Sequence, residues 1–118
     1  MLRRNFSLSN SHGEFIRGDL RHIENVKNAP AIVICHGFKG FKDWGFFPSL
    51  AEDLAETGYV SIVFNFSRNG LGPDPQNFTN LNLFAKNTYT HELEDLACVV
   101  NGIQEGNIGK GLIDPDRI

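Results

Sequence analysis

The stretch that decides the fold is Ala31-Ile32-Val33-Ile34-Cys35-His36-Gly37-Phe38-Lys39-Gly40, in which five apolar residues end abruptly in His-Gly-aromatic. A short run that is apolar at every position predicts a strand buried on both faces, as in a parallel sheet covered by helices. The residues that follow predict a loop at the rim of the sheet, where Gly37 is expected to permit a tight turn. Loops at this rim commonly carry binding and catalytic groups.

A strand–helix–strand unit is predicted around this stretch. Residues 46–57 have a helical pattern, and Gly58 stands where a left-handed C-terminal cap is expected. Residues 60–66 form a second apolar run, rich in β-branched and aromatic side chains, which predicts another strand. The crossover between the two strands should be right-handed. The apolar stripe of the helix is Phe47, Leu50, Ala51 and Leu54.

The flanking segments extend this α/β pattern. Residues 5–10 and 14–24 alternate apolar and polar side chains and predict two half-exposed strands joined by a turn at Gly13. Residues 67–82 are rich in Gly, Pro and Asn and predict a loop. Residues 90–105 predict a second helix, and residues 114–118 resemble the approach to a third parallel strand. The apolar face predicted for this helix is Leu93, Leu96, Ala97, Val100 and Ile103.

Length and charge exclude several classes of function. The chain has 118 residues, enough for one small domain, and a net charge of −3 from 11 basic and 14 acidic residues. Its basic residues are scattered, which argues against nucleic acid as a partner. No apolar run has the length of a signal peptide or a membrane span, so we expect no membrane partner and a cytoplasmic location.

The sequence predicts no metal and no cofactor. Cys35 and Cys98 fall in apolar patterns and are expected to be buried free thiols. Cys35 is not expected to share a proton with His36, because adjacent strand residues point to opposite faces. The four histidines lack zinc-type spacing, and the chain has no phosphate-binding loop.

The ordered set of motifs resembles the N-terminal half of an α/β-hydrolase of the dienelactone-hydrolase, acyl-esterase and peptidase type. The resemblance covers nearly the whole chain. It implies two early antiparallel strands, then a βαβ unit and a second helix, in an incomplete sheet. The motifs that carry it are 32–38, Leu54-Ala55-Glu56-Thr57-Gly58-Tyr59, Phe64-Asn65-Phe66-Ser67-Arg68-Asn69-Gly70 and the ending Asp-Pro-Asp-Arg-Ile.

This resemblance implies roles for the residues after the first buried strand. The backbone N–H of Phe38 would belong to an oxyanion hole, which stabilises the charge that develops in acyl transfer. His36 and Gly37 would be structural, because this fold places its catalytic histidine after the nucleophile along the chain. Trp44 and Phe41 could line a substrate pocket, with helix-to-sheet packing as the favoured alternative. Arg68 could reach a substrate, with a solvated loop position as the alternative.

The chain departs from the family at one point, because it contains no Gly-x-Ser-x-Gly motif. We therefore expect residues 1–118 to be one partial domain that ends just before the nucleophile-elbow strand. The nucleophile, acid and base would lie beyond Ile118, and the chain alone would be inactive.

Three alternatives remain open from the sequence. The first is a peptidase of the same fold instead of an esterase acting on small ester or acyl substrates. The second is a non-catalytic half-domain that self-associates, or binds a partner, through an open sheet edge at residues 31–35. The third is an unrelated, complete doubly wound domain with a ligand site near His36 and Asn65.

Overall fold

The computed structural model describes every residue from Met1 to Ile118. It contains four strands and three helices, in the order ββ, then βαβ, then αα. The strands are β1 (Leu2–Ser9), β2 (Phe15–His22), β3 (Ala31–Cys35) and β4 (Val60–Asn65). The helices are α1 (Phe47–Glu56), α2 (Leu81–Ala85) and α3 (Tyr89–Gln104).

The four strands form one mixed sheet in the order β1-β2-β4-β3. β1 and β2 form an antiparallel hairpin, and β2 pairs antiparallel with β4. β3 and β4 are parallel, with Val33 opposite Ile62, and α1 forms the crossover between them. The predicted early hairpin, βαβ unit and following helix are therefore confirmed.

β4 is the centre of the structure, and all six of its residues are buried. Because side chains alternate along a strand, its two faces pack against different helices. Ser61 lies on one face and donates a hydrogen bond of 2.7 Å to the carbonyl of Ala51 in α1. Ile62 and Phe64 lie on the other face and share a hydrophobic cluster with Val99 and Ile103 of α3.

β3 is less buried than the sequence indicates. Its pattern predicts burial on both faces, yet Ile32, Val33 and Ile34 are partly exposed and Cys35 is exposed. The reason is its place in the sheet, because β3 pairs with β4 on one side only. The prediction of buried thiols is therefore wrong for Cys35 and only partly right for Cys98, while both cysteines are free.

The buried face of α3 also differs from the prediction. Its buried residues are Asp95, Val99, Gly102 and Ile103, whereas Leu93 is 67% exposed. The helix begins at Tyr89, where the hydroxyl of the preceding Thr88 accepts a hydrogen bond from the N–H of His91. Of the two acidic neighbours on this helix, Glu94 is exposed, whereas Asp95 is only 1% exposed.

The segment after β4 is more deeply buried than a surface loop. Phe66, Ser67, Arg68, Asn69 and Leu71 are all buried, because this segment continues from the central strand. The predicted loop 67–82 also runs into the short helix α2, which begins at Leu81.

The C-terminal residues approach the outer side of β3. Ala29 and Ile113 form an isolated parallel bridge, and the N–H of Ala31 donates to the carbonyl of Arg117 at 2.9 Å. The direction of this bridge agrees with the predicted approach to a further parallel strand. No helix of the protein combines the length and the apolarity that a membrane span requires.

Candidate active site

The loop after β3 forms a tight turn in which one backbone N–H group has no hydrogen-bond partner within the chain. The N–H of Gly40 donates to the carbonyl of Gly37 at 2.9 Å, which closes the turn around Phe38 and Lys39. The N–H of Phe38 donates no hydrogen bond within the chain, and the residue is 80% exposed. A fixed, unpaired N–H at the end of a parallel strand can bind an anionic oxygen.

Gly37 does not supply the special backbone conformation that the sequence analysis assigned to it. The left-handed residue of the turn is Lys39, with φ at 58°, as the third position of a type II turn requires. A Cβ atom on Gly37 would meet no atom within 4 Å, whereas one on Gly40 would lie 2.8 Å from the Gly37 carbonyl oxygen. The tight approach of backbones therefore requires Gly40, which the sequence analysis missed.

His36 ties this turn to the end of β4. Its Nδ1 lies 2.9 Å from the carbonyl of Gly37, and its Nε2 lies 3.2 Å from the N–H of Phe66. These contacts are compatible with one neutral tautomer, in which Nδ1–H donates and Nε2 accepts. Burial lowers the pKa of the imidazole below its ordinary value, although its contacts with the Gly37 carbonyl and Glu92 oppose this shift.

Phe38 separates two clefts at this rim of the sheet. A cleft of about 590 Å³ is lined by His36, Gly37, Phe38, Phe66, Phe84 and Tyr89, among others. A smaller one of about 260 Å³ lies on the other side, between the turn and the start of α1, and Trp44 lines it. The Phe38 ring stacks on Phe84, with the ring centroids 6.0 Å apart. The unpaired N–H therefore belongs to a residue with a cleft of mixed polar and apolar lining on each side.

The two other aromatic candidates occupy different surroundings. Trp44 is 55% exposed and packs obliquely against Phe47, at 6.4 Å between ring centroids. Phe41 is half-buried and makes an edge contact with Phe78, at 5.9 Å. The exposure of Trp44 differs from the helix-to-sheet packing that the sequence favours, since its aromatic contact is with Phe47 at the start of α1. A substrate-binding role for either residue stays a prediction.

Arg68 is turned into the protein. Its Nε lies 2.9 Å from a Glu14 carboxylate oxygen, and its Nη1 donates to the carbonyl of Lys86 at 2.9 Å. Burial alone would raise the pKa of Glu14, but hydrogen bonds from Arg68 and Asn10 lower it below its ordinary value. The alternative of a solvated loop residue is wrong, and these contacts favour a structural role over the predicted substrate contact.

Cys35 and His36 point apart, as the strand geometry predicts. The Cys35 side chain is exposed, whereas His36 is 7% exposed and faces the backbone of Phe66. Partial burial raises the pKa of the Cys35 thiol, and the Glu92 carboxylate adds to this effect. A nucleophilic cysteine requires a lowered pKa, so this environment does not favour one.

A buried cluster of charged side chains contacts the loop that leads from Gly40 to α1. Asp19 is completely buried, and its carboxylate lies 2.8 Å from the Lys42 ammonium, 3.2 Å from Arg21 and 3.3 Å from Arg3. The backbone N–H of Lys42 donates to Oδ1 of Asn65 at 2.7 Å. These contacts fix the loop that leads from Gly40 to α1 against the end of β4. Sequence reasoning missed them because the partners come from three separate elements.

A second polar junction joins the hairpin turn to α3. Asn10 Nδ2 donates to Asp95 at 3.0 Å and lies 3.2 Å from the Ser67 hydroxyl. The other Asp95 oxygen accepts the N–H of Ser67 at 2.7 Å. Buried polar groups need such partners, which explains why a carboxylate occupies the inner face of a helix.

Comparison with solved structures identifies the fold. The chain is similar to the α/β hydrolase GrgF from Penicillium sp. sh18, with a TM-score of 0.68 and 22% identity over 89% of this chain and 33% of that one. It is also similar to a cold-adapted esterase from an Arctic intertidal metagenomic library, with a TM-score of 0.68 and 16% identity over 87% of this chain and 44% of the esterase. A third similar structure is an alpha-beta serine hydrolase homologue from Coxiella burnetii, with a TM-score of 0.65 and 19% identity over 89% and 47% of the two chains.

These similarities show that the chain has the fold of the N-terminal half of an α/β-hydrolase. The chain spans between a third and a half of the length of these three hydrolases. No family model and no curated protein matches the sequence.

Proposed function

We propose that residues 1–118 form the oxyanion side of a serine hydrolase that acts on carboxylic esters or related acyl compounds. The observation that carries this proposal is the unpaired N–H of Phe38, which lies at the end of β3 in a turn fixed by His36 and Gly40. The esterases and hydrolases with the same fold support this class of reaction.

The proposed mechanism is acyl transfer through an acyl-enzyme. When a nucleophile attacks the substrate carbonyl, negative charge develops on its oxygen. The Phe38 N–H would donate to that oxygen without further reorganisation, because the turn already holds it. His36 would keep the turn in place and would not transfer a proton, since both of its ring nitrogens already contact the backbone.

The proposal assigns the nucleophile and its acid and base partners to residues outside 1–118. None of the serine hydroxyls contacts a histidine in the structure. Ser61 donates to the Ala51 carbonyl, and the Ser67 hydroxyl receives a hydrogen bond from Asn10. A serine nucleophile needs a base within hydrogen-bond reach, and neither residue has one.

The substrate proposed is a small ester or acyl compound. Aromatic side chains line both clefts beside Phe38, with Phe84 in the larger and Trp44 in the smaller, while Asn87, Thr88 and Glu92 add polar groups to the larger one. Such walls suit an apolar acyl or alcohol group, while the N–H fixes the carbonyl. A peptidase would use the same oxyanion contact, so only a comparison of ester and peptide substrates separates the two activities.

A matched pair of substitutions at Phe38 tests this proposal on the native protein. Phe38→Pro removes the N–H at a turn position that tolerates proline, whereas Phe38→Ala keeps the N–H and removes only the ring. We expect Phe38→Pro to lower kcat by about 100-fold or more, the usual effect of losing one oxyanion donor. Phe38→Ala should change mainly KM. Equal kcat for Phe38→Pro and the unmodified protein would contradict the proposal.

A fluorophosphonate probe locates the nucleophile. After labelling of the native protein, peptide mapping should place the adduct on a serine outside residues 1–118. An adduct on one of the serines of this segment would contradict the assignment. The segment on its own should not hydrolyse a chromogenic ester.

The edge of β3 supports a second candidate function, the binding of a partner strand. Ala31 directs its N–H outward to Arg117, so Val33 and Cys35 direct theirs to the same side by alternation. β3 has no neighbouring strand there and carries no charged residue. Unprotected apolar edges pair with other strands. Light scattering after gel filtration tests self-association through this edge, and a stable monomer would count against it.

A further inference from the structure

Two histidines and a glutamate meet where the β1–β2 turn contacts the start of α3. His12 Nε2 lies 3.0 Å from Glu94 Oε2, and His91 Nδ1 lies 3.6 Å from the same oxygen. The three ligand atoms all lie within 4.8 Å of one another. His12 and Glu94 are 82 positions apart, so no spacing along the sequence could reveal this cluster.

We propose that His12, His91 and Glu94 bind a divalent transition-metal ion of the zinc type, which links the hairpin turn to α3. Two imidazoles and one carboxylate form a common donor set for Zn²⁺, and a water molecule can complete a tetrahedral site. With bonds of about 2.0–2.2 Å, tetrahedral ligand atoms are roughly 3.3–3.6 Å apart. The distance of 3.6 Å from His91 to Glu94 fits this range, and that of 3.0 Å from His12 to Glu94 is slightly shorter.

The backbone on both sides of the cluster is already fixed. Asn10 Oδ1 accepts hydrogen bonds from the N–H groups of His12 and Glu14, each at 3.0 Å, which holds the turn. The capping hydroxyl of Thr88 accepts the N–H of His91 at 3.2 Å. Ligand side chains on fixed backbones lose less freedom when they bind an ion.

His91 gives an independent indication of a ligand. Its Nδ1 is buried but makes no hydrogen bond, although it lies close to Glu94. The His12 and His91 rings meet edge to face, with their centroids 5.0 Å apart. A buried nitrogen without a partner is costly, and a metal bond would supply the partner that the protein does not.

The charge around the cluster favours a cation. Glu92 and Asp95 are close to Glu94 in the sequence and add negative charge to the first turns of α3, although the Asp95 carboxylate is buried and accepts hydrogen bonds from Ser67 and Asn10. Exposed carboxylates alone would suit Mg²⁺ or Ca²⁺, but imidazole ligands select zinc-type ions. We therefore expect binding of Zn²⁺ and Co²⁺ and no comparable binding of Mg²⁺.

Titration of the purified native protein with Zn²⁺ and Co²⁺ tests this proposal. Calorimetry should show a Zn²⁺ site that His12→Gln, His91→Gln and Glu94→Gln each weaken by about tenfold or more. Glu105→Gln is the matched control, since it removes one exposed carboxylate at the C-terminal cap of the same helix, outside the cluster, and it should leave the affinity unchanged.

Two further measurements test whether the metal binds at this cluster. Bound Co²⁺ should give visible absorption of a tetrahedral nitrogen and oxygen site, and Zn²⁺ should raise the Tm of the native protein but not that of the His12→Gln/His91→Gln variant. An absorption band of a cobalt–thiolate bond would show that a cysteine is a ligand of the bound metal, and it would overturn the proposal. Equal Zn²⁺ affinity of the histidine variants and the native protein, or no binding at all, would also overturn it. Circular dichroism confirms that each variant is folded.

Discussion

The backbone N–H of Phe66 donates to Nε2 of His36, so the first residue after β4 is hydrogen-bonded to the imidazole of the first residue after β3. The Phe66 ring also meets the imidazole edge to face, at 4.9 Å between centroids. Because Nδ1 of the same ring contacts the Gly37 carbonyl, one side chain connects the proposed oxyanion turn to the central strand. The neutral ring is essential to this arrangement, since a proton on Nε2 would face another donor.

The stability of the protein should therefore depend on pH through His36. Burial lowers the pKa of the folded imidazole below its ordinary value of 6.5, so the unfolded state binds the proton more tightly. The free energy of unfolding should be highest above pH 6.5 and should fall as the pH drops below that value. Urea unfolding between pH 7.5 and 5.5 measures this decrease, because the lower limit of this range still lies above the ordinary pKa values of carboxylates.

His36→Gln identifies the residue responsible. Glutamine does not titrate, so the difference in unfolding free energy between the native protein and this variant should narrow as the pH falls. At pH 7.5 the variant should be less stable by about 1–3 kcal/mol, because it leaves buried backbone groups poorly paired. A difference that stays constant over the whole pH range would show that His36 does not cause the dependence.

Substitution by alanine should destabilise the protein at Gly40 and have little effect on its stability at Gly37. Gly40→Ala would place a Cβ atom 2.8 Å from the Gly37 carbonyl oxygen, so the turn must shift and the protein should lose about 1–3 kcal/mol of stability. Gly37→Ala meets open space at a backbone conformation without positive φ and should change stability by less than about 0.5 kcal/mol. Thermal unfolding of the two variants side by side makes the comparison, and a larger loss for Gly37→Ala would contradict it.

Asp95 should matter for stability although it is a charged residue on a helix. Asp95→Ala leaves the buried N–H of Ser67 without its acceptor and removes one of the acceptors of the Asn10 amide. We expect a loss of about 2 kcal/mol, the cost of an unsatisfied buried donor. Glu105→Ala, at the exposed C-terminal cap of α3, is the control and should stay within about 0.5 kcal/mol of the native protein. Similar losses for both variants would indicate an effect of helix charge and not of the junction.

The Arg68 and Glu14 pair should show strong energetic coupling. Both side chains are largely buried, and removing one partner leaves the other charge uncompensated. Arg68→Met and Glu14→Gln should each destabilise the protein by about 3 kcal/mol, while the double variant should lose clearly less than the sum. Urea unfolding of the four proteins gives the coupling energy. Additive losses of stability would show that the two residues act independently. Arg68 would then be available again as a candidate for a substrate contact.

The sequence was sufficient for the elements that local pattern determines. The apolar runs located β3 and β4, and Gly58, with φ at 104°, ends α1 as expected. The sequence pattern was insufficient where a residue distant in the chain changes whether a side chain is buried or exposed. Asp95 is buried because Asn10 and Ser67 satisfy its carboxylate, and periodicity alone cannot register such partners. The left-handed residue of the turn could not be predicted from residue type either, because it is Lys39 and not a glycine.

The contact between Asn10 and Asp95 joins residues 85 positions apart, and that between Asn10 and Ser67 spans 57. β1 and β2, by contrast, are adjacent in sequence and can pair from local contacts early in folding. During synthesis the hairpin therefore emerges long before the helix that anchors its turn. Closing so long a loop costs conformational entropy before any contact repays it, so the surroundings of this turn should be among the last parts of the chain to become ordered.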